Sequence, residues 1–212
     1  MNEFFMIRHY MFMYFLFLYC YFFFLINFVD IWYFSYEAGP AHVISVSSFY
    51  PGGFGPSSPL TVWLKNDLAS VDRTKTSWLL VVIHAPLYNS NSAHQGDGEN
   101  FRLAYEQLLI QAKVNAIFTG HVHSYERTTV VNNNTVVPPG KGIVHFNVGD
   151  GGAALYTTWL PQPAWSAFRQ ATWGHGELQI MNSSTAIWTW NRNEDNANKV
   201  ADSYVLLNSV SM

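Results

Sequence analysis

WLLVVIH at residues 78–84 and AIFTGHVH at residues 116–123 decide how this chain folds. Each opens on a short, continuous apolar run with no polar alternation, the signature of a strand covered on both faces. The first is bounded by Thr76-Ser77 and by Ala85-Pro86, and the second is stopped by Gly120. Between them lie a polar loop, Tyr88–Gly98, and the helically spaced Phe101, Tyr105, Leu108 and Ala112, with Glu99 suited to the first turn of that helix. Upstream, Leu60, Leu64, Leu68 and Val71 predict an amphipathic helix over residues 58–72, entered through the Gly, Pro and Ser-rich turn material of residues 51–59. Before that turn, HVISVSS (42–48) is a further β-rich run. Strand, helix, strand, helix, strand in that order predicts an α/β domain built of βαβ units.

The pattern changes after Arg127. Residues 128–137 surround a turn at Asn132, Asn133 and Asn134, and residues 143–148 alternate in strand fashion. Residues 177–181, 186–190 and 204–207 also read as strands, so the last third is expected to be β-rich with few helices. The 212 residues are 49% apolar and 12% charged, with a net charge of -3, enough for one cored domain. The charge balance argues against a basic nucleic-acid binder, and the single cysteine, Cys20, excludes an internal disulfide framework or a CxxC site.

Residues 1–32 stand apart. The first 34 residues hold 10 of the 16 phenylalanines, and residues 10–29 carry no charge. A helix of 20 residues is about 30 Å long, one hydrocarbon thickness. Three readings stand: a membrane-spanning or signal-anchor helix, a secretory signal after Arg8, or a stretch foreign to the natural protein. Phe, Tyr and Met dominate it where membrane helices favour Leu, Ile, Val and Ala, and its tyrosine hydroxyls would each need a partner in lipid.

The chemistry sits at strand ends, where ligands of open α/β sheets bind. His84 ends one buried strand, and His121 and His123 follow the other after Gly120. Imidazole is a good ligand for zinc and iron. In an extended HxH both rings point to one side, where they serve one metal or two adjacent ones. The competing reading of each is a hydrogen-bonded structural histidine, the reading adopted for His42, His145 and His175. Trp188 and Trp190 are expected in the core, and GDGG (149–152) in a tight turn.

VVIHAPLYNS (81–90), AHQGDGE (93–99) and GHVHSYER (120–127) together closely resemble the C-terminal half of plant-type purple acid phosphatases, of the metallophosphoesterase superfamily. WLKNDLASVDR (63–73), GDGG (149–152), GHGEL (174–178) and IWTWNRN (187–193) agree with it. The resemblance implies a partial αββα sandwich over residues 33–212, the C-terminal part of a catalytic domain. It implies hydrolysis of phosphate monoesters at acid pH by a metal-bound hydroxide at a dinuclear centre of Fe plus Zn, Mn or Fe. By the same resemblance His84 and His121 bind the divalent metal, His123 binds the ferric ion, and His94 contacts phosphate and assists the leaving group.

The family's aspartate, GDxxY and GNH blocks do not occur in this sequence. Three neutral imidazoles offset none of the charge of a ferric–divalent pair, so this chain is expected to hold at most one divalent ion. A catalytically inactive fragment or pseudoenzyme, membrane-anchored through residues 10–29, is the alternative to an active phosphatase. The resemblance implies a secreted or vacuolar glycoprotein, compatible with a homodimer, and the sequons at Asn133 and Asn182 fit that setting.

Overall fold

A computed structural model describes residues 32–194 and 199–208. Residues 10–29, Cys20 and His9 lie outside the described residues, and with them the readings of the Phe-rich segment. Among the described residues no helix is long and apolar enough to cross a membrane.

The larger sheet has seven strands. Those introduced here are β1 (Tyr33–Ala38), β2 (Ala41–Val46), β3 (Trp78–Ile83), β4 (Ala116–Thr119), β5 (Tyr125–Thr128), β8 (Val144–Val148) and β9 (Ser166–Gln170), in the spatial order β1-β2-β3-β4-β8-β5-β9. The pairs β2–β3, β3–β4 and β4–β8 are parallel. The flanking pairs β1–β2, β5–β8 and β5–β9 are antiparallel. Helix α1 (Pro59–Ser70) carries the chain from β2 to β3, and α2 (Glu99–Gln111) from β3 to β4. The expected βαβ core is therefore present. The α1 helix starts where Ser58 accepts the Thr61 N–H at 3.2 Å, with Pro59 in the first turn, a position that needs no amide donor.

β3 shows why a continuous apolar run was needed. Leu79, Val81 and Ile83 join a core with Leu60 and Leu64 of α1 and Phe101, Tyr105 and Leu109 of α2. Trp78 and Leu80, on the other face, join Phe118, Phe146, Trp188 and Trp190. That second face is covered by a smaller antiparallel sheet, β10 (Gly174–Ile180), β11 (Thr185–Arg192) and β12 (Val200–Leu207), which bears out the β-rich last third. A hairpin of β6 (Val131–Asn132) and β7 (Thr135–Val136) turns through Asn133 and Asn134, both in the left-handed region. The layers run helices, sheet, sheet. They form the partial αββα arrangement, with Trp188 and Trp190 in the core as expected.

The two sheets are clamped by a buried polar group. Asp202 of β12 accepts from Arg127 Nε at 2.7 Å, from Arg127 Nη2 at 2.9 Å and from the Tyr125 hydroxyl at 2.7 Å. Trp188 Nε1 in turn donates to that hydroxyl at 2.8 Å. Burial beside the Asp202 carboxylate pushes the Tyr125 hydroxyl well above its ordinary pKa, so it stays a donor.

Candidate metal centre

Three loops meet beyond the carboxyl ends of β3 and β4. The first carries His84, directly after β3, and its backbone is tied to the second loop where Gly120 N–H donates to the His84 carbonyl at 3.0 Å. The second loop, residues 120–124, is shaped by packing. Asn147 of β8 donates through Nδ2 to the carbonyls of Val122 at 2.9 Å and Ser124 at 2.6 Å. Gly149 lies so close beneath it that a Cβ there would sit 2.0 Å from the Val122 carbonyl oxygen. The glycine of the GDGG run is thus required by close approach of two backbones, a finer reason than the tight turn expected. The third loop, residues 88–98, is anchored to β5. The Ser90 N–H donates to Glu126 at 2.9 Å, and Ser166 donates to the same buried carboxylate at 2.6 Å.

His121 has φ of 63° and His94 has φ of 56°, a region costly for residues with a side chain. The GHVH segment is therefore not extended at His121. His121 turns to His84: its Nδ1 lies 3.0 Å from His84 Nε2. His123 reaches the same cluster through Tyr156. Its Nδ1–H donates to the Ala154 carbonyl at 2.8 Å, and its ring stacks on Tyr156 with centroids 4.6 Å apart. His94, ten residues past His84, joins the cluster through ring contact with His121 at 4.0 Å and through Nε2 to the Tyr156 hydroxyl at 3.2 Å.

Asp97 is the residue the sequence reading missed. One of its oxygens, Oδ2, faces both His121 Nε2 at 2.8 Å and His94 Nδ1 at 3.1 Å. Hydrogen bonds first from His121 and then from His94 hold its carboxyl below the usual carboxylate range. Among the described residues, His94, Asp97 and His121 are the one group of three such donors within 4.8 Å of one another. The usable signal was the three-residue spacing from His94 within a turn. Phe49 was also missed. It is 47% exposed and packs edge-on to His121 at 5.5 Å, forming an apolar rim.

The donor set suits a cation. Two nitrogens on one tetrahedral zinc lie about 3.3 Å apart, close to the 3.0 Å between His84 and His121. Burial, then the neighbouring His121, His123 and His94, push the His84 imidazole down to about 4. It is neutral through the mildly acidic range and keeps a lone pair to offer. Beside these rings Asp97 supplies one negative charge. For a second ion the described residues offer His123.

Residues 9–125 match the calcineurin-like phosphoesterase family, and residues 142–203 match the iron/zinc purple acid phosphatase-like protein C family. The chain belongs to the calcineurin-like phosphoesterases, on their purple acid phosphatase branch. Purple acid phosphatase 18 of Arabidopsis thaliana is 45% identical over 183 residues, covering 84% of this chain and 40% of that protein. The Fe(3+)-Zn(2+) purple acid phosphatase 12 of the same plant is 40% identical over 190 residues, again 84% of this chain and 40% of its own length. The chain thus spans about two fifths of these curated relatives. A purple acid phosphatase from yellow lupin seeds superposes with a TM-score of 0.75 over 86% of this chain and 34% of that one. At 24% identity that likeness shows the fold.

Proposed function

We propose that residues 33–212 are the C-terminal part of a metal-dependent acid phosphatase domain that hydrolyses phosphate monoesters, with His84, His121 and His123 as metal ligands and His94 facing the substrate. One observation carries this reading: His84 Nε2 and His121 Nδ1 converge to 3.0 Å at the carboxyl ends of two parallel strands. The names of the relatives agree with it. A divalent cation held by these nitrogens supplies a Lewis acid for a phosphoryl oxygen.

The chain's own residues do the rest. His94 Nε2, beside the Tyr156 hydroxyl at 3.2 Å, is the ring edge that would donate to a phosphoryl or leaving-group oxygen. The Tyr156 hydroxyl, which touches His94 Nε2, keeps that ring edge from turning away. Phe49 lies against the His84 and His121 rings at 5.9 and 5.5 Å and adds apolar surface beside them. The acidic, oxidising route of a secreted or vacuolar protein suits the exposed sequon residues Asn133 and Asn182.

The test is calorimetric titration of the folded chain with Zn2+, beside hydrolysis of p-nitrophenyl phosphate at acid pH. One Zn2+ bound per chain, lost in His84→Ala, is expected. No Zn2+ binding by the wild-type chain sinks the reading. Zn2+ binding without hydrolysis supports the inactive, binding-only alternative.

A further inference from the structure

Asp97 touches two histidines with a single oxygen, and this has a chemical consequence for both rings. An ionised carboxylate only accepts hydrogen bonds. Both ring nitrogens that face it, His121 Nε2 at 2.8 Å and His94 Nδ1 at 3.1 Å, must therefore carry their protons. A neutral imidazole has one N–H and one lone pair. Fixing the proton of His121 on Nε2 leaves its lone pair on Nδ1, the atom that faces His84 Nε2. Fixing the proton of His94 on Nδ1 leaves its lone pair on Nε2, the atom that meets Tyr156.

The backbone shows how much local structure is committed to this arrangement. His94 and His121 both adopt positive φ, and Asp97 sits in the turn closed by its own N–H to the His94 carbonyl at 3.4 Å. Gly98, which follows, packs so tightly that a Cβ would lie 2.2 Å from the Pro86 carbonyl oxygen. Asp97 is thus followed by a closely packed glycine and by α2, which begins at Glu99.

We propose that Asp97 is a positioning residue that sets the tautomer of His121 and of His94 at once, aiming Nδ1 of the first at a cation shared with His84 and Nε2 of the second at the substrate. This rests on the cation site proposed above and deepens it. A carboxylate behind a metal-binding histidine fixes the ring and raises its basicity, and losing it typically weakens metal binding by about 10–100-fold. Asp97 does so for one ligand and one substrate-facing ring together, so the two are coupled through one atom.

Two readouts test it on the full chain. The first is nitrogen-15 NMR of the imidazoles without metal, at mildly alkaline pH. Wild type is expected to show His121 protonated at Nε2 and His94 at Nδ1, and Asp97→Asn, whose amide can donate as well as accept, to show mixed tautomers. The second is calorimetric Zn2+ affinity, expected to fall by about 10–100-fold in Asp97→Asn and to recover at least partly in Asp97→Glu. Thermal melts confirm that each variant is folded. Unchanged tautomers in Asp97→Asn overturn the proposal. So does tight Zn2+ binding retained in His84→Ala, because the ion would then sit on Asp97 itself. If wild type binds no Zn2+, the functional reading fails while the NMR comparison still decides the role of Asp97.

Discussion

His145 offers the sharpest test of the energetics of the core. It lies on β8, buried against the edge of the Tyr88 ring at 4.9 Å, and neither ring nitrogen has a hydrogen-bond partner among the described residues. Burial pushes its imidazole from 6.5 down to about 3. The sign follows from proton counts. As pH falls below 6.5 the unfolded chain takes up a proton at this ring, while the native state does not until about 3. The stability tied to neutral His145 is therefore complete above 6.5 and lost progressively towards 3. Linkage gives a loss of about 2 kcal/mol between neutral pH and about pH 5. His145→Leu removes both the titration and two buried unpartnered nitrogens, each of which costs about 1–3 kcal/mol. The variant is expected to be at least as stable as wild type at neutral pH, and its advantage to grow by about 2 kcal/mol at about pH 5. Urea denaturation followed by tryptophan fluorescence at several pH values measures this. An advantage that stays constant from neutral pH to about pH 5 refutes the reasoning.

Asp202→Ala leaves Arg127 without its bidentate partner and Tyr125 without its acceptor, so a loss of about 3–5 kcal/mol is expected in urea midpoints. Gly149→Ala drives a Cβ into the Val122 carbonyl, backbone that cannot step aside. It should cost about 1–3 kcal/mol and weaken Zn2+ binding measured by calorimetry, whereas Gly55→Ala, in open space, should change neither. Asp150 is buried, and burial raises its carboxyl from 3.8 to about 7. Its stabilising protonated form is complete below 3.8 and lost as pH rises through 7. Asp150→Asn, which keeps an acceptor for Trp190 Nε1, should therefore exceed wild type in melting temperature at neutral pH, with the gap closing towards pH 4.

The parts of the fold legible in the sequence are those whose burial is local and apolar. β3, β4, α1 and α2 are marked by runs or periods of Leu, Val, Ile and Phe that need no knowledge of a distant partner. β5 and β9 were not legible. β5 is Tyr-Glu-Arg-Thr (125–128), and its polar residues become buried only because Glu126 meets Ser90 and Ser166 and Arg127 meets Asp202. β1 was missed because its residues are only half-covered and follow the Phe-rich segment without a turn. At the site, the histidines were visible as strand-end residues. The left-handed turn was not, because nothing in GHVH announces a positive φ at His121. Asp97 had no motif of its own and acquires its role only when a turn brings it between two rings.

The Asp202 clamp bears on how the protein is made. β5 follows the GHVH loop directly, and the acceptor that locks its Tyr125 and Arg127 lies 77 and 75 positions downstream. At about 5–20 residues per second, the ribosome delivers that acceptor roughly 4–15 s after the loop has been synthesised. During that interval β5, which continues the histidine loop, exists without the strand that clamps it. Cation capture should therefore be a late event of biogenesis, coming after the last strand has left the exit tunnel, and a ribosome stalled ahead of β12 should hold a nascent chain that does not retain zinc.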